Sequence, residues 1–281
     1  MRSPRTTPTS RLESGGFSLI ELLAAITVAG VSLAAATTFY AAQARNMREV
    51  NYRIEAQQAM RGSLDAIARD VRLGGACLPS NGQFVALSGT NGATDSITVT
   101  TGLVQANMSC IITATTALVN NGQTNIPVAS TTGFTTDMLA YLRDLNGSGE
   151  SARISSVGAN SITLATATTQ QYPSGSGVYA IDERKYEVDS SLAYPRLMLT
   201  VNRGTPQAFA AGVRDLQVQY ILNRNCPTCD VVDAPAIMPP DTATWRLVNE
   251  VIVTAQVDTI GAVSNVSLTE QTRAKPRNLL P

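Results

Sequence analysis

The chain has 281 residues, enough for one large domain or two small ones, and its 21 basic and 21 acidic residues give a formal net charge of zero. No basic excess favours nucleic-acid binding, and the absence of histidine excludes Ser-His-Asp catalysis, Cys-His catalysis and any histidine-containing zinc site. Charged residues make up only 15%, and abundant Ser, Thr, Asn and Gly favour a β-rich protein with many turns.

The first predicted element is a membrane helix preceded by a basic leader. Residues 1–16 carry three arginines and a single acid, Glu13. From Leu22 to Gln43 the sequence contains no charged residue, a run of about 22 residues where roughly 20 suffice to span a bilayer. We therefore predict a transmembrane helix at 17–44, with the N-terminus in the cytoplasm and the following domain exported.

The apolar run could also be a secretory signal peptide or a plain signal anchor. A secretory signal peptide is cut after its apolar stretch, and 34–36 offers the small residues such a site needs. However, the run is longer than an ordinary signal core, and its helical character continues past Tyr40. A plain signal anchor explains the length but explains neither the Gly16-Phe17 junction nor the carboxylate of Glu21.

The segment Gly16-Phe17-Ser18-Leu19-Ile20-Glu21 resembles the class III signal of type IV pilins and of type II secretion pseudopilins. The resemblance implies that prepilin peptidase removes 1–16 by cutting between Gly16 and Phe17, and that Phe17 is then N-methylated. The apolar helix is retained, first as a membrane anchor and later as part of a filament core. Glu21 becomes the fifth mature residue.

The expected role of Glu21 also follows from its chemistry. A carboxylate in lipid is costly and is usually functional, with a nearby partner. Positions 17 and 21 lie one turn apart on the same side of a helix. Cleavage after Gly16 would create an amine at Phe17, so we expect Glu21 to pair with its own amine or with that of a neighbouring subunit during assembly.

The helix is predicted to continue as an amphipathic second half over 45–75. Its apolar positions recur at steps of three and four residues, with Gln57 and Arg61 interrupting them. These positions are Met47, Val50, Ile54, Met60, Leu64, Ile67 and Val71. Most charged residues, including Asp70, are assigned to the other faces. Gly74-Gly75 predicts the end of the helix, and the apolar stripe is expected to pack on a sheet.

Residues 76–281 predict a β-rich globular domain, so the expected fold class is α+β: one long N-terminal helix packed on mostly antiparallel strands. Alternating strands are predicted at 96–101, 216–220 and 251–257. A small β insert is predicted at 124–182, with strands at 139–142, 151–157, 161–164 and 177–181. The proline-containing stretch 226–243 is expected to form a long loop.

Other segments are similar to PilW-type minor pilins and J-type pseudopilins, with the PilW type favoured. These segments are 61–75, 212–220 followed by Trp245 and 248–257, and the basic tail 273–280. The resemblance implies a structural minor pilin that helps initiate type IV pilus assembly and sits at or near its tip. Its implied partners are other minor pilins, the major pilin, a tip adhesin, prepilin peptidase and the inner membrane.

Alternatives to this function come from several classes. The chain could be a minor pseudopilin of a type II secretion system, which is structural but moves exported enzymes. It could be a ligand-binding tip module for a surface or for DNA, although the balanced charge argues against DNA. A membrane-anchored enzyme is a further class, for which the sequence offers no catalytic constellation. We expect no enzyme activity, no cofactor and no nucleic-acid partner.

Four cysteines, Cys77, Cys110, Cys226 and Cys229, follow the membrane segment and are expected in an oxidising compartment. Three disulfide pairings are possible, and we choose Cys77–Cys110 with Cys226–Cys229. The first would tie the end of the long helix to the first strands, and the second would close a tight loop. The alternatives of a redox CxxC and a four-thiolate zinc site are disfavoured, because no helix start follows Cys226 and no second CxxC exists.

Residues 144–150, Asp-Leu-Asn-Gly-Ser-Gly-Glu, begin like a calcium-binding loop. The twelfth position is Ser155 where a calcium loop has Glu, and no helices are predicted on either side. A β-turn is the preferred interpretation, and no metal site is predicted.

Overall fold

A long helix, α1 (Leu19–Leu73, 55 residues), leads into a region of β-strands. The computed structural model describes residues 18–79, 84–191, 194–233, 243–258 and 267–276. Gly16 and Phe17 lie outside the described residues. Two compact units divide the chain between Asn51 and Tyr52. In the first unit, the described structure is α1 as far as Asn51, and the second unit contains the remainder of the helix and the strands.

The helix ends where the paired glycines predict. After Leu73 the chain turns, and Gly75 adopts a left-handed φ of 79° that glycine reaches at little cost. The Gly75 amide then donates to the carbonyl of Thr100 at 3.0 Å. Two residues after the helix ends, the backbone is therefore hydrogen-bonded to a neighbouring strand and no longer within the helix.

Fourteen strands and one short helix follow within the described residues. The strands are β1 (Leu87–Thr90), β2 (Ser96–Gly102), β3 (Ile112–Ala114), β4 (Asn125–Pro127), β5 (Leu139–Arg143), β6 (Gly149–Val157), β7 (Ser161–Leu164), β8 (Gly177–Asp189), β9 (Arg196–Val201), β10 (Gln207–Ala211), β11 (Val213–Leu222), β12 (Val231–Val232), β13 (Val248–Asp258) and β14 (Ser267–Ala274). The helix α2 spans Ala243–Arg246. The α+β class is confirmed, and strands occupy the segments predicted at 96–101, 216–220 and 251–257.

The strands form two antiparallel sheets. In the first, the main path is β1-β2-β8-β5-β6-β7-β4, β3 and β9 also pair with β8, and β10 pairs with β9. The second has the order β12-β11-β13-β14. β8 is the central strand of the first sheet, because its 13 residues pair with β2, β3, β5 and β9 along different parts of its length.

The main hydrophobic cluster lies between α1 and the strands. Buried residues of the helix from Ala56 to Val71 pack with the inward-facing side chains of β11 and β13, and with Trp245. β1, β2, β8 and β9 of the first sheet also contribute side chains. The alternating burial along β11 puts Leu216, Val218 and Tyr220 into this cluster and their neighbours outward.

A second cluster is built from residues between Ile111 and Ala180, among them Tyr172, and a third, small one contains Leu139, Tyr141 and Ile181. Strands occur at each position predicted within 124–182. However, the boundary at residue 182 falls inside β8, which continues to Asp189 and pairs with β2 and β9. The strands of this region therefore belong to the first sheet, together with β1, β2, β9 and β10.

Two details of the sequence prediction need correction. The apolar stripe of α1 is buried only from Ala56 onward, while Met47 and Ile54 are 63% and 45% exposed. At 3.6 residues per turn, Met47, Val50 and Ile54 are rotated from the buried face by about a third of a turn. The expected long loop after Cys226 also contains a two-residue strand, β12, which pairs with β11.

Candidate functional site

The beginning of α1 places Ser18 and Glu21 in a defined hydrogen-bonding arrangement. The Ser18 carbonyl accepts the first helical hydrogen bond, from the Leu22 amide at 3.1 Å, which makes Ser18 the N-cap. The Glu21 carboxylate reaches back and accepts from the Ser18 amide at 3.0 Å. This is the acid half of a capping box, which satisfies an amide that the helix leaves unpaired.

This arrangement brings Glu21 close to the predicted processing point. Phe17 directly precedes Ser18 in the sequence. A carboxylate bonded to the Ser18 amide is therefore one residue away from any amine created at Phe17. The capping contact was not anticipated from the sequence, although Ser18 and Glu21 have the S-x-x-E spacing that signals it.

Apolar side chains of the first unit lie on the surface. Every residue from Leu19 to Tyr40 is exposed, and Leu19, Val31 and Tyr40 each leave more than 70% of their surface uncovered. The most apolar 18-residue window of α1 has a mean hydropathy of 2.1, and none of it is buried. By length and composition, α1 is the one helix within the described ranges that could cross a membrane.

The cysteines form two disulfides, Cys77–Cys110 and Cys226–Cys229, which are the pairs chosen from the sequence. The first joins the turn after α1 to the segment before β3, with 5.5 Å between the Cα atoms. Gly102 lies against this bridge, because a Cβ atom there would stand 2.7 Å from the Cβ of Cys77. The Cys77–Cys110 bridge therefore ties the end of the helix to the segment before β3 and packs against the end of β2.

The Cys226–Cys229 loop is an exposed turn. Asp230 accepts hydrogen bonds from the side chains of Asn225 and Arg224, and these bonds lower the pKa of its carboxyl. No helix begins at Cys226: the chain passes instead into β12. The loop thus lacks the helix N-terminus that activates the thiols of redox CxxC motifs.

The calcium-like segment is the turn of the β5–β6 hairpin. The Asp144 carboxylate accepts from the Ser148 amide at 2.7 Å, and Gly147 takes a left-handed φ of 92°. Across the parts of the chain that the structure describes, no group of three or more metal-ligating side chains is arranged to hold a metal ion.

A buried polar group connects α1 to β8, and sequence reasoning missed it. Asp70 is only 6% exposed, and its carboxylate accepts from the Tyr186 hydroxyl at 2.7 Å and from Arg184 at 3.2 Å. Arg184 also donates to Asp182 at 2.9 Å. Burial, followed by the hydrogen bond to Asp70, raises the pKa of Tyr186.

The sequence pattern predicts that Asp70 lies away from the apolar face of the helix, and this prediction is wrong because Asp70 is buried. A buried carboxylate must be paired or hydrogen-bonded, and its partners here are 114 and 116 residues away in sequence. Asp70, Asp182 and Arg184 border a groove of about 290 Å³ that also includes Arg69. The side chains of Asp70, Asp182, Arg184 and Tyr186 are hydrogen-bonded to one another. This arrangement indicates a structural connection between α1 and β8.

Comparison of the sequence with protein-family models finds no match, and comparison with curated proteins finds none either.

Proposed function

We propose that the chain is a minor pilin, a structural subunit that helps initiate assembly of a type IV pilus and sits at or near its tip. One observation carries the proposal: Glu21 lies in the first turn of an unbroken 55-residue helix whose first half exposes its apolar side chains. This turn follows the Gly16-Phe17 junction by one residue. An exposed apolar surface of this kind requires lipid or other helices around it.

In this proposal residues 1–16 are a cleaved leader, and 17–44 form a membrane anchor that later joins the filament core. The N-terminus starts in the cytoplasm, and the β domain is exported through the inner membrane. Prepilin peptidase is the processing partner, while other minor pilins, the major pilin and a tip adhesin are the assembly partners. The predicted β insert, 124–182, lies outside the segments that resemble minor pilins. Two disulfides are consistent with an exported domain.

The chemistry of assembly rests on Glu21. The contact with Ser18 holds the carboxylate at the first turn of α1. Removal of the leader adds a positive charge next to this turn, where the carboxylate can reach it. Within lipid, a carboxylate and an ammonium group are much more stable as a pair than apart. A neighbouring subunit whose Phe17 amine lacks a partner is therefore stabilised by contact with Glu21. The role is structural, and no step of it requires a cofactor.

Mass spectrometry of the mature protein tests the proposal. Intact-mass and N-terminal peptide measurements should find a chain that begins at Phe17 and carries one N-terminal methyl group. The same chain from cells without prepilin peptidase should keep residues 1–16. Retention of the leader in wild-type cells, or a cut near Ala36, would contradict the pilin proposal and favour a signal anchor or a signal peptide.

A further inference from the structure

One sheet edge offers a long, regular hydrogen-bonding surface. β14 is the last strand of the second sheet and, among the described strands, pairs only with β13. The pairing runs over all eight residues from Ser267 to Ala274 without a register shift. Such an edge presents a row of backbone donors and acceptors to the outside, which is a template for another strand.

The other described edges have features that discourage strand pairing. β12 has two residues, β3 has three and β1 has four. β4 has three residues and ends in Pro127. β10 has a register shift between Ala208 and Ala210. Short strands, proline and bulges are three of the means by which proteins protect sheet edges, and β14 has none of these three.

The register identifies which amides of β14 face outward. The Asp258 amide donates to the Gly212 carbonyl at 3.0 Å, so the backbone of Asp258 faces β11. Because successive backbone groups of a strand point to opposite sides, Val257 faces β14, and its partner Leu268 faces back toward β13. By the same alternation, the backbone groups that point away from β13 belong to Ser267, Thr269, Gln271 and Arg273.

The charges along β14 are asymmetric. Glu270, on the helix-facing side, is balanced by Arg61 at 3.4 Å. Arg273 has a 57% exposed side chain that lies 4.0 Å from Glu250, and Lys275 just beyond it is also exposed. Two cations, Arg273 and Lys275, and one acid, Glu250, leave one net positive charge at the C-terminal end of the edge, which complements a partner segment that is acidic at the end beside it.

We propose that the outer edge of β14 binds an extended segment of a partner polypeptide by antiparallel strand addition. The backbone groups of Thr269, Gln271 and Arg273 supply the hydrogen bonds, and acidic residues at the N-terminal end of the partner segment lie opposite Arg273 and Lys275. The proposal goes beyond the pilin assignment and does not depend on it, because it uses only the strands of the second sheet.

The test uses the purified full-length chain in detergent and a fluorescent acetylated peptide, Asp-Glu-Thr-Val-Thr-Val-Thr-Thr-amide, followed by anisotropy. Gln271→Pro removes one outward amide without removing a backbone hydrogen bond to β13, and an edge position tolerates proline. Gln271→Ala is the matched control: both variants lose the side-chain bond to Thr254, at 3.3 Å, but only proline loses the amide.

Gln271→Pro should weaken peptide binding about tenfold, as expected for loss of one hydrogen bond, whereas Gln271→Ala should stay within about twofold of wild type. Arg273→Glu should also weaken binding. If Gln271→Pro alters the near-ultraviolet circular dichroism, a second experiment uses the wild-type protein. Two peptides are compared, one N-methylated on its odd-numbered residues and one on its even-numbered residues. Only the peptide whose methyl groups face β14 should fail to bind. Absence of binding to wild type, equal losses for proline and alanine, or indifference to both methylation sets would each overturn the proposal.

Discussion

Glu21 has two properties that a substitution can separate, its negative charge and its ability to accept a hydrogen bond from Ser18. Glutamine at this position keeps the acceptor, because Gln also serves at the third position of a capping box, but carries no charge. Alanine removes both. The pair of variants therefore distinguishes a residue that starts a helix from one that pairs with an amine.

We expect Glu21→Gln and Glu21→Ala to leave leader cleavage intact and to reduce incorporation into filaments about tenfold or more, since an unpaired charge in the membrane costs about 2.5–3.5 kcal/mol. Immunoblots of sheared filaments and of membrane fractions measure both steps. Normal incorporation of Glu21→Gln with loss of Glu21→Ala would show that capping, and not charge, is the property that matters.

At the scale of the elements, the connection between α1 and β8 depends on a polar contact inside an apolar interface. The Tyr186 hydroxyl is one of two donors to the Asp70 carboxylate, and Tyr186 is only 1% exposed. Removing it leaves a buried acid with part of its hydrogen bonding unmet. The neighbouring residue Lys185 instead pairs with Glu187 at the surface, with side chains 41% and 35% exposed.

Tyr186→Phe should lower the free energy of unfolding by about 1.5–3 kcal/mol, because it deletes a hydrogen bond to a buried charged group. Lys185→Ala on the same strand should cost about 0–1 kcal/mol, as exposed ion pairs do. Denaturant unfolding of the purified protein measures both changes. Equal effects of the two substitutions would show that the Asp70 contact contributes no more than a surface pair.

These elements also show what local sequence pattern can and cannot predict. Periodicity predicts α1, its end at Leu73, and the strands β2, β11 and β13, because each depends on residues close in sequence. The contact between Ser18 and Glu21 is also local, because both residues lie in the first turn of α1. Burial of Asp70 depends on β8, more than 100 residues away, and the extension of β8 to Asp189 depends on pairing with β2 and β9. Contacts and strand pairing between distant segments cannot be predicted from a short stretch of sequence.

For the second unit as a whole, four buried tyrosines report on the three hydrophobic clusters. Tyr186 and Tyr220 belong to the main cluster, Tyr172 to the second and Tyr141 to the third, and each is at most 4% exposed. Burial is the main cause that raises the pKa of all four, to about 12 for Tyr141. An unfolded chain would ionise them near pH 10.

The folded pKa values of these tyrosines exceed the unfolded ones, so below about pH 10 they are neutral in both states and the free energy of unfolding keeps its full value. As the pH rises toward 12, the unfolded chain ionises its tyrosines first, and the free energy of unfolding falls. The protein should therefore melt at steadily lower temperature above about pH 10, while its buried tyrosines resist ionisation until unfolding. Thermal melts followed by circular dichroism, with phenolate absorbance recorded in parallel, measure the two effects.

Because β8 contributes to all three clusters, we expect the alkaline unfolding transition to be cooperative. β8 contributes Val178 and Ala180 to the second cluster, Ile181 to the third and Tyr186 to the main one, so opening one cluster disturbs a strand shared by all. We expect the phenolate signals of Tyr172 and Tyr186, assigned with Tyr172→Phe and Tyr186→Phe, to rise in a single cooperative step. Ionisation of Tyr172 at lower pH than Tyr186 would mean that residues 111–180 unfold on their own, and the shared strand would not couple them.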